Sequence, residues 1–96
     1  MSTADTPAIV DDGSRFVATV DGREAELVYR REGDRLVLVH TEVPDELEGH
    51  GLGGALVRAA LGDAAATGAT IVPQCAFARG WLERHRAEIG DVAVDW

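Results

Sequence analysis

Gly49-His50-Gly51-Leu52-Gly53-Gly54 is the run whose composition points most directly at chemistry. Glycine lets backbone N–H groups approach and wrap an anion, and a helix starting within the run adds the positive end of its dipole. The run reads as a cradle for phosphate or pyrophosphate, or as a turn whose glycines let the helix pack closely. A Walker loop needs Lys and then Ser or Thr after its last glycine, and neither is present. Gly49, Gly51 and Gly54 match the dinucleotide pattern G-x-G-x-x-G. However, the strand after the following helix ends in Val72-Pro73-Gln74, without the acid that holds a ribose, and 96 residues leave no room for the second half of such a fold.

Two further groups carry reactive chemistry. His40 and Glu42 lie two apart in a strand-like segment and so share a strand face. Glu42 reads either as a carboxylate that takes a proton or as an exposed strand residue. His40 could orient it, act as the base itself with an ordinary pKa of ~6.5, or be a packed histidine. Cys75 precedes a helix, whose N-terminus lowers a thiol's pKa. It reads either as a nucleophile partnered by His40 and Glu42 or as a small buried apolar residue. His50 sits inside the glycine run, within reach of a phosphate, and His85 reads as a surface residue. Cys75 and the three histidines have no recognised ligand spacing, so no metal is expected.

The elements that must position these groups follow from hydrophobic period and turn chemistry. Residues 15–20 are rich in β-formers, Asp21-Gly22 is a strong hairpin signal, and residues 24–30 alternate as a half-buried strand does. Glu32-Gly33-Asp34 is a second turn, and residues 35–43 form the longest strand, ended by Pro44. The period then changes: Leu52, Ala55, Leu56, Ala59 and Ala60 repeat as one face of a helix, with Gly68 as its C-cap. Residues 69–72 read as a short buried strand, and residues 77–88 as a helix with Phe77, Trp81 and Leu82 on one side. Val92, Val94 and Trp96 alternate as a last edge strand would. The expected order is β-β-β-α-β-α, a mixed α/β (α+β) domain with two helices packed on a mostly antiparallel sheet. Residues 1–13 read as a polar, flexible lead-in and residues 14–96 as one domain.

Composition narrows the function classes. The chain is 46% hydrophobic and 27% charged, enough for a core, and no apolar run reaches the ~20 residues of a membrane helix. A formal net charge of -8 argues against nucleic acid and favours cationic partners. The one cysteine and the absence of a signal-like start fit the reducing cytoplasm. All nine positive charges are arginine.

Glu48-Gly49-His50-Gly51-Leu52-Gly53 also has the spacing of the acetyl-CoA loop of the GNAT superfamily, [Gln/Arg]-x-x-Gly-x-[Gly/Ala]. Residues 40–57, Val72-Pro73-Gln74-Cys75-Ala76-Phe77 and Trp81-Leu82-Glu83-Arg84-His85 resemble, in order and spacing, the small "minimal" acetyltransferases of that superfamily. The resemblance covers residues 15–86 and departs at Glu48, where Gln or Arg is usual. It implies a GNAT-like fold and acetyl transfer from acetyl-CoA to an amine, either a peptide lysine or a small basic amine. It also implies that pantetheine pairs with the strand ending in Thr41-Glu42-Val43 and that pyrophosphate rests on the amides of Gly49, His50, Gly51, Leu52, Gly53 and Gly54. The thioester then lies near Glu42, Val43 and Cys75. Many members protonate the leaving thiolate with a tyrosine, but the sole tyrosine, Tyr29, is not at that position. Arg58, Arg79 and Arg84 are equal candidates for the adenosine phosphate. A CoA-binding or interaction module without turnover is the rival reading.

The connection between the first two predicted strands is only Asp21-Gly22, where larger members place helices over the acceptor. The acceptor side is therefore expected to be open.

Overall fold

A computed structural model describes residues 8–96. Its elements are β1 (Ile9–Asp11), β2 (Arg15–Val20), β3 (Arg23–Glu32), β4 (Arg35–Glu42), α1 (Leu52–Thr67), β5 (Thr70–Pro73), α2 (Ala76–Arg84) and α3 (Arg86–Ile89), with a 3-10 turn at Asp45–Leu47. The mixed, mostly antiparallel sheet with helices stands as expected. Three details differ from the sequence reading. Ile9–Asp11, within the expected lead-in, pairs with β2 as an additional strand, while residues 1–7 of that lead-in lie outside the described residues. The second predicted helix breaks at His85, giving α2 and α3. The tail makes one parallel bridge, Val94 to Ile71, in place of a strand.

The five strands lie in sequence order, antiparallel except for the parallel pair β4–β5. Asp21 (φ 53°) and Gly22 (φ 79°) both have positive φ, the backbone of a tight turn that matches strand twist, so β2 runs directly into β3. Phe16, Ala18, Ala25, Leu27, Tyr29, Leu36, Leu38 and Ile71 face α1 and α2. There they bury against Leu56, Val57, Ala60, Trp81 and Leu82. The helices cover this one face. The opposite face carries Arg15, Glu24, Glu26, Val28, Arg30 and, through cross-strand pairing, His40 and Glu42.

Two features of β4 shape the space beside it. Val28 opposes His40 but Tyr29 opposes Leu38, so Val39 is an extra residue, a β-bulge. The bulge resets the alternation: Thr41, opposite buried Leu27, turns toward the core, while His40 and Glu42 turn to the open face. Second, β5 pairs with β4 only as far as Leu38, after which the chain swings into α2. The β4 edge beyond Leu38 therefore has no strand beside it.

The β1–β2 connection is held by charge. The Asp12 carboxylate accepts the backbone N–H groups of Ser14 (3.0 Å) and Arg15 (2.9 Å) and the Arg15 Nε–H (3.0 Å). These bonds, the Ser14 amide foremost, hold its pKa down to about 2. A folded-state pKa below the unfolded value contributes stability that is present above pH ~4 and is lost as pH falls through about 2. Asp12→Asn is therefore expected to lower the urea midpoint near neutral pH, and the gap from wild type should close near pH 2. A gap that persists undiminished in acid would show that the charge is not what matters.

Candidate active site

The β4 end, the glycine run, the start of α1 and one side of α2 enclose a cleft of about 720 Å³. Its walls include His40, Thr41, Glu42 and Val43 from the β4 side, and Glu48, Gly49 and Gly51 from the loop. Leu52, Gly53, Gly54 and Arg58 of α1 complete it with Phe77 and Trp81 of α2.

The glycines divide by physical role. Gly49 (φ 86°) and Gly51 (φ 75°) lie in the left-handed region that side chains avoid, and nothing stands within 4 Å of where a Cβ would be. Gly51 is the N-cap of α1 and gives no side-chain cap. The first backward helical bond there runs from the Ala55 N–H to the Gly51 carbonyl (3.0 Å). The N–H groups of Leu52, Gly53 and Gly54 thus have no partner within the helix. No acid occupies this first turn, so its donors and dipole are available to an external anion.

Gly53 and Gly54 instead admit α2. A Cβ on Gly54 would lie 2.7 Å from Trp81 Nε1, and one on Gly53 would lie 2.5 Å from Phe77 Cζ. Trp81 is buried, and His85 stacks on it at 4.1 Å between centroids, so its ring has little freedom to yield. Phe77 is 42% exposed and can swing outward. Gly54→Ala is expected to lower stability by ~1–3 kcal/mol through overpacking. Gly53→Ala should be near neutral, because the gain of ~1 kcal/mol in helix propensity offsets the moved ring. Thermal melts of the two variants check this; equal losses would contradict it.

The predicted reactive residues separate into two sets. His40 Nε2 lies 3.3 Å from Glu42 Oε1, and both side chains are exposed at the mouth of the cleft. Cys75 sits on the other side of β4, buried, with its Sγ 3.2 Å from Thr41 Oγ1 and its N–H bonded to the Leu38 carbonyl (2.9 Å). The structure thus joins His40 to Glu42 and Cys75 to Thr41. His50 is exposed and does not line the cleft. Tyr29 is buried, donates its hydroxyl to Asp11, and has its pKa raised first by burial and then by that bond. It lies outside the cleft lining. His85, expected at the surface, packs on Trp81 and places Nδ1 2.8 Å from the Trp81 carbonyl oxygen.

The sequence model of a family described as GCN5-related N-acetyl-transferase matches residues 15–92. The chain belongs to that family. The match spans the β2–β3–β4 meander, the glycine loop, α1, β5 and α2, all the elements around the cleft. A comparison with curated proteins finds no match. At the level of its family the chain is an N-acetyltransferase, and such enzymes generally take the acetyl group from acetyl-CoA.

Leu47 also lines the cleft; the sequence alone does not place Leu47, Phe77 and Trp81 in its wall, nor Thr41 beside Cys75. The adjacent glycines Gly53-Gly54 and the aromatic pair Phe77 and Trp81, four apart on one helix, were the available signal.

Proposed function

We propose that this chain transfers an acetyl group from acetyl-CoA to a basic amine, a peptide lysine or a small polyamine, by direct attack. The observation that carries this reading is the continuity of the cleft. Unpartnered α1 amides, the unpaired β4 edge and Glu42 all line one cleft. The donors of Leu52, Gly53 and Gly54 suit a pyrophosphate, and the β4 edge toward Val43 suits the amide groups of pantetheine. Glu48 also lines the cleft, and its charge lowers the affinity for an anion, but the loop offers its ligand backbone amides, so binding is weakened and not prevented. Bound acetyl-CoA supplies an activated acetyl thioester.

The chain's own task is the proton. A lysine amine with a pKa of ~10.4 is neutral in only about one molecule in a few thousand at pH 7, a handicap of roughly 4–5 kcal/mol. Glu42, directly or through water, takes that proton, and the neighbouring His40 orients the carboxylate. With β1 ahead of β2, Asp21-Gly22 joins the second and third strands, not the first two as the sequence suggests; the first two are joined by residues 12–14 alone. That short connection and the open sheet face around Glu42 leave the acceptor side uncovered, which suits an extended peptide or a slim amine. The net charge of -8 favours cationic acceptors, more so at low salt. The single free cysteine fits a reducing cytoplasm as the place of reaction.

The contact of Cys75 with Thr41, away from Glu42, favours direct transfer over a route through the thiol. Incubation with acetyl-CoA alone should leave no hydroxylamine-labile ~42 Da adduct on the intact mass. Cys75→Ala should retain measurable turnover. A trapped adduct, with an inactive but folded and CoA-binding alanine variant, would make Cys75 the nucleophile.

Two observations favour a second reading, a CoA-binding module without turnover: Glu48 in the cleft wall, and a tyrosine committed to Asp11. Thermal melts with acetyl-CoA, CoA and NAD test the binding that both readings share, with stabilisation expected from the first two only. Release of free CoA with a lysine-rich peptide then separates the readings.

A further inference from the structure

We infer that Arg58 is the residue that recognises the 3′-phosphate of CoA, and that Glu88 holds it in place and competes for it. The inference rests on the proposed acetyl-CoA binding and extends it to discrimination between CoA and its dephosphorylated form.

Sequence alone leaves Arg58, Arg79 and Arg84 equal. Among the residues that line the cleft, Arg58 is the one arginine. The Arg79 guanidinium is turned to the C-terminal end, where Nη1 donates to the Trp96 carbonyl (2.8 Å). Arg84 lies back along its own helix, with Nη1 3.2 Å from where a Gly80 Cβ would be. Arg58 follows Gly54 by four residues, so it stands on the same side of α1, about 6 Å further from the N-terminal amides. A ligand whose pyrophosphate occupies those amides has its next anionic group within reach of this side chain.

The guanidinium is already fixed in place. It lies over the Trp81 ring, 5.1 Å from the centroid, and Trp81 is in turn wedged against Gly54 and stacked on His85. Glu88 of α3 accepts from Nε (2.6 Å) and from Nη2 (3.1 Å). That fork consumes one edge of the guanidinium. A guanidinium has five N–H donors, so three remain, two of them forming the second fork along Nη1 and Nη2. A phosphate is matched by that second fork in a bidentate contact. The carboxylate that anchors Arg58 is also the nearest competing anion. Its own pKa is lowered chiefly by the bond to Arg58, so it stays charged at neutral pH.

The two side chains therefore act in opposite directions. Removing the arginine removes recognition of the 3′-phosphate. Removing the charge at Glu88 leaves Arg58 over Trp81 with a stronger net positive field for the same phosphate.

Calorimetric titration of the full chain with CoA and with 3′-dephospho-CoA tests both. Wild type should bind CoA about 10-fold or more tightly than dephospho-CoA, the scale of a charge-assisted contact. The ratio should shrink as salt rises. Arg58→Gln should bring the ratio to about one by weakening CoA alone, Arg58→Lys should keep part of it, and Glu88→Gln should raise it a few-fold. The ratio within one variant does not depend on the fraction of chain that is folded, so a destabilised variant still reports. Equal binding of both ligands by wild type overturns the inference while leaving the acetyl-CoA reading intact. An Arg58→Gln variant that weakens both ligands alike, or a Glu88→Gln variant with a reduced ratio, also overturns it. Failure of wild type to bind either ligand removes the acetyl-CoA reading itself.

Discussion

Glu42→Gln is expected to lower turnover by ~10²-fold or more while leaving the affinity for acetyl-CoA unchanged, the usual scale for losing a positioned general base. Glutamine keeps the length of the side chain and an oxygen that can still meet His40 Nε2, now at 3.3 Å from the carboxylate. What it loses is the capacity to accept a proton. Glu42 stands at the end of a strand on the open face, so the substitution disturbs no buried contact and should leave the melting temperature nearly unchanged. A loss confined to KM would assign Glu42 to binding the cationic acceptor. A variant with wild-type turnover at saturating acceptor would remove Glu42 from proton transfer and leave His40 as the base.

The second large effect concerns the loop. Acetyl-CoA at about a hundred times its dissociation constant adds ~2.7 kcal/mol to stability by mass action, which for a domain of this size is about 10–20 °C in melting temperature. Gly51→Asp should abolish that rise. The backbone there has a φ of 75°, which strains any side chain, and the carboxylate would cap the very amides that an anion needs. Ala66→Asp places the same charge at an exposed position near the far end of α1, outside the cleft, and should keep most of the rise. If Gly51→Asp still responds fully to acetyl-CoA, the amides of Leu52, Gly53 and Gly54 do not hold the ligand.

Much of this arrangement was legible in the residue order. Asp21-Gly22 between two alternating segments marks the hairpin, because Asp and Gly tolerate the positive φ at both positions that a two-residue turn matching the strand twist adopts here. The shift from period two to period 3.6 after Pro44 marked the passage from sheet to α1. The glycine run offers two readings, an anion cradle and close helix packing; Gly53 and Gly54 pack against Phe77 and Trp81, while Gly49 and Gly51 hold left-handed backbone that side chains avoid. What escaped depends on contacts distant in sequence. The bulge at Val39 arises from the register of β3 against β4 and leaves no local mark, yet it decides that Thr41 rather than Glu42 meets Cys75. Ile9–Asp11 is too short to show a period and is a strand through its pairing with Phe16, Val17 and Ala18 of β2. The division of the reactive residues into His40 with Glu42 and Cys75 with Thr41 comes from that one extra residue.

The most direct test of acetyl transfer is the release of free CoA thiol from acetyl-CoA, followed with and without a lysine-rich peptide at low salt. The expected result is steady release that requires the peptide, modifies it on lysine side chains, and falls by ~10²-fold or more in Glu42→Gln. Acetyl-CoA that stabilises the protein yet is never consumed with any basic amine would contradict it and leave a binding module in place of an enzyme.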